Sequence, residues 1–154
     1  MKNFKVLFLA LIVAISSVSC QSINSKDPYV RIERSTPYLR ASAIIVTNGV
    51  LGYAISDSDR AEKAKIVYDI ATVIEQLTID GDVSIESISE VLLSYVPEKS
   101  HWYEFATNLI LIYADVHAQV RDLEGDPSDK RKILVKALNQ IAGGCKVAAN
   151  VYAE

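Results

Sequence analysis

The feature that most constrains the fold is a helical spacing of apolar residues in the middle of the chain. Between residues 59 and 79 these residues recur three and four positions apart: Ile66, Val67, Ile70, Val73, Ile74 and Leu77. This spacing lines one face of an α-helix and does not fit the strict alternation of a half-buried strand. The sequence therefore predicts an amphipathic helix over residues 59–79, with Asp59 as its N-cap and Glu62 completing a capping box.

Three further helices follow, each with a recognisable start. Ser84, Ser100 and Asp126 stand where a side-chain oxygen can accept a hydrogen bond from the free amides of a first helical turn. Pro127 fits the first position of the last helix, because an amide at that position has no helical partner to lose. The helix after Ser100 is predicted to end near Leu123.

Residues 37–56 (PYLRASAIIVTNGVLGYAIS) allow two interpretations. As a helix, the segment begins at Pro37 and is apolar nearly all round. As a hairpin, it turns at Asn48-Gly49, a dipeptide favoured in tight β-turns. The apolar residues do not alternate, and an isolated hairpin is marginal in water. We favour a buried helix, and a hairpin over residues 41–56 remains the alternative.

The N-terminus has the layout of an export signal. Lys2 and Lys5 precede a ten-residue apolar run, residues 6–15, and small residues then lead up to Cys20. A membrane-spanning helix needs about 20 apolar residues, so this run is too short for a permanent transmembrane anchor. The sequence predicts a signal peptide over residues 1–19, with cleavage before Cys20.

The cleavage region allows two kinds of exported protein. Val18, Ser19 and Cys20 resemble the lipobox of bacterial lipoprotein signals, in which a leucine is usual at the position of Ser17. This resemblance covers residues 1–20 only, and it implies an acylated Cys20 and a membrane-anchored protein facing the periplasm or the cell surface. Ser17 and Ser19 also satisfy the small-x-small rule of ordinary secretory sites, which would release a soluble protein.

The rest of the chain divides into a tether and one domain. Residues 20–36 are polar and show no sustained period, so we interpret them as a tether. Residues 37–154 are predicted to form a single all-α domain, a compact bundle of about five helices. Loss of residues 1–19 leaves 135 of the 154 residues, enough for one core and too few for two domains.

Charge and motifs narrow the class of function. Lys2 and Lys5 lie in the signal, so the mature chain has 14 basic and 19 acidic residues and a formal charge of −5. An acidic chain without a basic block argues against nucleic-acid binding. We expect a non-catalytic interaction or scaffold protein of the cell envelope, whose partners are membrane lipid, through Cys20, and an envelope protein. The alternatives are a soluble periplasmic or secreted binding protein or inhibitor with an apolar pocket, and an enzyme whose site assembles only in the fold.

The acidic turn Asp80-Gly81-Asp82 is the best match to a metal motif. Gly81 could take the sixth position of a calcium-binding EF-hand loop, but the first two and the last ligand positions lack carboxylates. Asp80 and Asp82 are thus weak metal candidates; we predict a tight turn and no cofactor. For the enzyme alternative, these two residues with His101 and Glu104 form the least implausible set.

Aromatic residues and a cysteine complete the candidates. Trp102, Tyr103 and Tyr113 are predicted to form an interaction surface, since aromatic side chains are favoured at binding interfaces. Cys145 is interpreted as a small residue packed on a helix. If Cys20 is not acylated, a disulfide between Cys20 and Cys145 remains open in an oxidising compartment.

Overall fold

The computed structural model describes residues 27–53, 56–96 and 100–153. Within these ranges the chain forms five helices and no strand: α1 Pro28–Tyr53, α2 Asp57–Asp80, α3 Ile85–Ser94, α4 His101–Arg121 and α5 Pro127–Asn150. The predicted all-α bundle is confirmed, and residues 41–53 are helix rather than hairpin. The predicted signal peptide and Cys20 lie outside the described residues.

The last helix, α5, is the centre of the bundle and packs against α1, α2 and α4. Its most extensive contact is with α1, and the two helices run parallel. Near their starts Lys136 Nζ lies 2.8 Å from Glu33 Oε1, and further along Thr47 Oγ1 lies 3.6 Å from Cys145 Sγ. The short helix α3 contacts both α2 and α4. The first and last helices of the described chain are therefore its best-packed pair.

A glycine allows this close approach of α1 and α5. A Cβ atom built on Gly144 would lie 2.5 Å from the carbonyl oxygen of Arg40 and 2.8 Å from the Cβ of Ala43, whereas ordinary contacts begin at 3.4 Å. The core of the bundle contains large, fully buried side chains, among them Leu51, Ile70, Phe105, Leu109, Tyr113 and Ile141. Burial of such side chains is the main favourable term in folding.

α1 begins nine residues earlier than the sequence indicated and continues through a proline. Residues 28–36, which we had assigned to the tether, are its first turns, so Pro37 lies inside the helix and not at its start. A proline has no N–H to donate to the carbonyl four residues earlier, which belongs to Glu33. The buried Thr36 replaces it, because its Oγ1 donates to the Glu33 carbonyl at 2.9 Å. This side-chain bond compensates for the hydrogen bond that Pro37 cannot make.

Helix starts follow the predicted capping chemistry in three of four cases. Ser84, Ser100 and Asp126 each accept a hydrogen bond from a backbone amide of the following first turn. The exception is α2, where Ser56 and not Asp59 is the N-cap, and its side chain makes no capping bond. Ser56 donates its hydroxyl to the Asp59 carboxylate at 2.8 Å instead.

Candidate functional site

The aromatic surface predicted from Trp102, Tyr103 and Tyr113 does not form. Trp102 is 7% and Tyr113 1% exposed, while Tyr103 is 40% exposed. Trp102 packs edge-on against Phe105, with ring centroids 5.6 Å apart, and the Tyr113 hydroxyl donates to the Val83 carbonyl. These two rings occupy core-facing positions of α4, and Tyr103 is turned outward because successive helical residues are about 100° apart.

The acidic turn serves as a helix end. Gly81 has φ 84° and closes α2 in the left-handed conformation that favours glycine. The Asp82 carboxylate accepts from the Ser84 amide at 3.0 Å, and hydrogen bonds from Ser87 and Ser84 lower the pKa of Asp82. Neither Asp80 nor Asp82 belongs to a group of three or more His, Cys, Asp or Glu side chains suited to a metal ion; the described residues contain no such group.

The residues of the enzyme alternative are not gathered into one cluster in the described part of the chain. The Tyr113 hydroxyl contacts Val83, directly after Asp82. Glu104 precedes Tyr113 by nine residues on the same helix, a separation of about 13 Å along the axis. The side chain of His101 lies outside the described set. The acidic turn and the start of α4 are thus separate regions of the molecule.

Cys145 is a packed core residue, as the sequence predicted. It is 1% exposed and forms no disulfide with a described residue. Burial raises the pKa of its thiol to about 11, although a hydrogen bond with Thr47 opposes this shift. The thiol is therefore neutral near pH 7, and a neutral buried thiol is a poor nucleophile.

The outward face of α1 carries a regular stripe that the sequence analysis did not identify. Its members lie three, four, three and four residues apart: Arg31, Arg34, Tyr38, Ala41 and Ile45. This spacing sets residues in one line along a helix, and all five are exposed. Tyr38 is 43% and Ile45 45% exposed. We call these five residues the α1 stripe; it is basic near the start of α1 and apolar further along.

The basic end of the α1 stripe consists of two arginines without an ion-pair partner in the described part of the chain. Arg31 and Arg34 make no ion pair with any described side chain. Glu33, the acidic residue between them, points toward α5 and pairs with Lys136 at 2.8 Å. The spacing of the stripe could have been found in the sequence. The stripe was missed because residues 20–36 were interpreted as a tether, which separated the two arginines from the rest of the helix.

Two grooves lie beside this region. One, about 780 Å³, runs along the outer face of α5, and the other, about 420 Å³, lies between the first turns of α1 and α5. Both are open to solvent, and Lys132 and Lys136 belong to the lining of each. Neither resembles the enclosed apolar pocket that the small-molecule alternative requires.

Comparisons with known proteins give no family. No protein-family model matches the chain, and neither a curated protein nor a solved structure matches it significantly. Among the helices in the described ranges, none has the length and apolar character needed to cross a bilayer. The function is therefore inferred from the residues of this chain alone.

Proposed function

We propose that this protein is an exported, lipid-anchored helical interaction or scaffold protein of the bacterial cell envelope. The observation that carries this proposal is the order of features in the sequence: a basic start, an apolar run, Cys20 and then, eight residues later, Pro28 at the start of α1. Eight residues span at most about 28 Å when fully extended. An acylated Cys20 would hold the bundle close to the bilayer surface.

The arrangement of the other candidate residues favours a binding role. Cys145 and the acidic turn at Gly81 both stabilise the fold, as a packed thiol and a helix end. The α1 stripe is exposed along its whole length and has the spacing with which helices contact a partner. It is the described feature best suited to mediate an interaction.

The test is the mass of the mature N-terminal peptide, with the location of the protein as a second readout. The full-length gene is expressed in a bacterium, membranes are separated, and the tryptic peptide from Cys20 to Lys26 is analysed. We expect acyl chains on Cys20 and protein in the membrane fraction. Cys20→Ala should lose both, whereas the matched control Cys145→Ala should keep both.

An unmodified Cys20 in the soluble fraction would contradict the proposal. The protein would then be an ordinary secreted one, and the alternative of a soluble binding protein or inhibitor would take its place. Non-reducing mass analysis of the same sample would next show whether Cys20 forms a disulfide with Cys145.

A further inference from the structure

The α1 stripe has the composition of a surface that contacts lipid headgroups. Arg31 and Arg34 can donate charge-assisted hydrogen bonds to phosphate oxygens. Further along, Tyr38 has an aromatic ring with a polar tip and Ile45 is aliphatic, and both side chain types favour the boundary between headgroups and acyl chains. The stripe is therefore chemically matched to the surface of a bilayer.

The position of the stripe suits this contact. From Arg31 to Ile45 it extends over 14 residues, about 21 Å of helix. The eight-residue segment from Cys20 to Pro28 reaches up to about 28 Å, so the tether is long enough for α1 to lie along the surface. Anchoring also raises the effective concentration of the stripe at the membrane, which lets weak individual contacts suffice.

The local charge of the α1 stripe favours this face of the bundle for contact with the membrane. The mature chain carries a formal charge of −5, so an anionic bilayer repels it as a whole, and a face that contacts such a bilayer needs local positive charge. The α1 stripe contains two arginines and no carboxylate, and the adjacent Glu33 is paired with Lys136. We propose that the α1 stripe docks on the anionic phospholipid headgroups of the membrane that holds the chain, an inference that rests on the acylated Cys20 of the proposed function.

The experiment uses the mature lipidated protein, purified from membranes and reconstituted in vesicles. A fluorophore is attached at Ala41→Cys in the stripe, and in a matched control at Thr72→Cys, an exposed position of α2. Cys145 is 1% exposed and escapes labelling. On vesicles of phosphatidylglycerol and phosphatidylcholine, we expect protection from an aqueous collisional quencher at position 41 and none at position 72. Vesicles of phosphatidylcholine alone should give little protection at either position.

Charge reversal tests the role of the arginines. In the double variant Arg31→Glu, Arg34→Glu, the ratio of docked to undocked protein should fall by at least about 30-fold, since each basic residue near an anionic surface contributes about 1 kcal/mol. Both side chains are exposed, so the circular dichroism spectrum should not change. Equal quenching at positions 41 and 72 on anionic vesicles would overturn the inference, as would equal protection on both vesicle types.

The proposed function and this inference fail in different ways. If Cys20 carries no acyl chain, the protein does not stay with the vesicles, and the proposed function fails. If the protein stays with the vesicles but position 41 is quenched freely, the anchor is correct and the docking surface is wrong. Protection at position 41 only when an envelope extract is added would assign the α1 stripe to a protein partner and also overturn the inference.

Discussion

Gly144 and Gly143 offer a matched test of the packing between α1 and α5. In Gly144→Ala the new Cβ would lie 2.5 Å from the Arg40 carbonyl oxygen, and ordinary contact begins at 3.4 Å. The helices must then separate locally by roughly 0.9 Å, and overpacking of this kind costs about 1–3 kcal/mol. We expect the upper end, because the obstacle is backbone and cannot rotate away. The higher helix propensity of alanine stabilises the fold by about 1 kcal/mol. The free energy of unfolding should therefore fall by about 2 kcal/mol in total.

The neighbouring substitution isolates the steric effect. A Cβ at Gly143 meets nothing within 4 Å, so Gly143→Ala should gain about 1 kcal/mol from helix propensity alone. The two variants should therefore differ by about 3 kcal/mol, or about 10 °C in melting temperature for a domain of this size. Urea and thermal unfolding followed by circular dichroism at the helix band would measure the difference. Equal shifts in the same direction would refute the close approach of α1 and α5.

Three other predictions concern a backbone carbonyl, a thiol and a helix cap. Thr36→Val should lower the free energy of unfolding by about 1 kcal/mol in urea titrations, since it removes the donor to the Glu33 carbonyl. For Cys145, whose folded pKa is raised from 9.0 to about 11, the contribution of the thiol to stability should be constant well below pH 9 and fall between pH 9 and 11, by up to about 1.4 kcal/mol per pH unit. Stability falls as the pH rises because the thiol of the unfolded chain has the lower pKa and loses its proton first. Ser84→Ala should destabilise the protein by about 1 kcal/mol in thermal unfolding, because the Ser87 amide loses its acceptor.

Each of these predictions has a control in the chain. Thr72→Val removes a similar hydroxyl bond, to the Tyr68 carbonyl at 3.0 Å, at an exposed position of a helix without a proline; an effect as large as that of Thr36→Val would count against the role of Pro37. Cys145→Ala should reduce the loss of stability between pH 9 and 10, where the buried Tyr113 hydroxyl, whose pKa is also raised by burial, contributes the remainder; an unchanged slope would exclude the thiol as a cause. Ser94→Ala alters a serine at the end of α3 and should be nearly neutral.

Local signals in the sequence were sufficient to predict the helices from α2 onward. Their apolar spacing and their caps depend on residues within one or two turns, so the predicted helix of residues 59–79 became Asp57–Asp80. The start of α1 could not be found in this way. Pro37 is ordinarily a start signal, whereas here the helix continues through it, with a hydrogen bond from Thr36 to the Glu33 carbonyl in place of the one that proline cannot make.

The candidate site was harder to predict because burial of aromatic residues depends on distant partners. Tyr113 lies in step with Trp102, Phe105 and Leu109, yet it was assigned to an interaction surface because aromatic side chains are favoured at binding interfaces. The Val83 carbonyl satisfies that hydroxyl from 30 residues away, so the whole ring can be buried. The α1 stripe, in contrast, was visible as a spacing, and it was missed only because its first two arginines were assigned to the tether.

The parallel contact of the first and last described helices has a consequence for the order of folding. Residues that meet across it are about a hundred positions apart, as in the contacts of Glu33 with Lys136 and of Thr47 with Cys145. Contacts of such long range form late, because the intervening chain must first be ordered or looped. Because synthesis starts at the N-terminus, α1 lacks its most extensive packing partner until nearly the whole chain has been made. The pairing of α1 with α5 can therefore be completed only when the final helix is available, at the very end of synthesis.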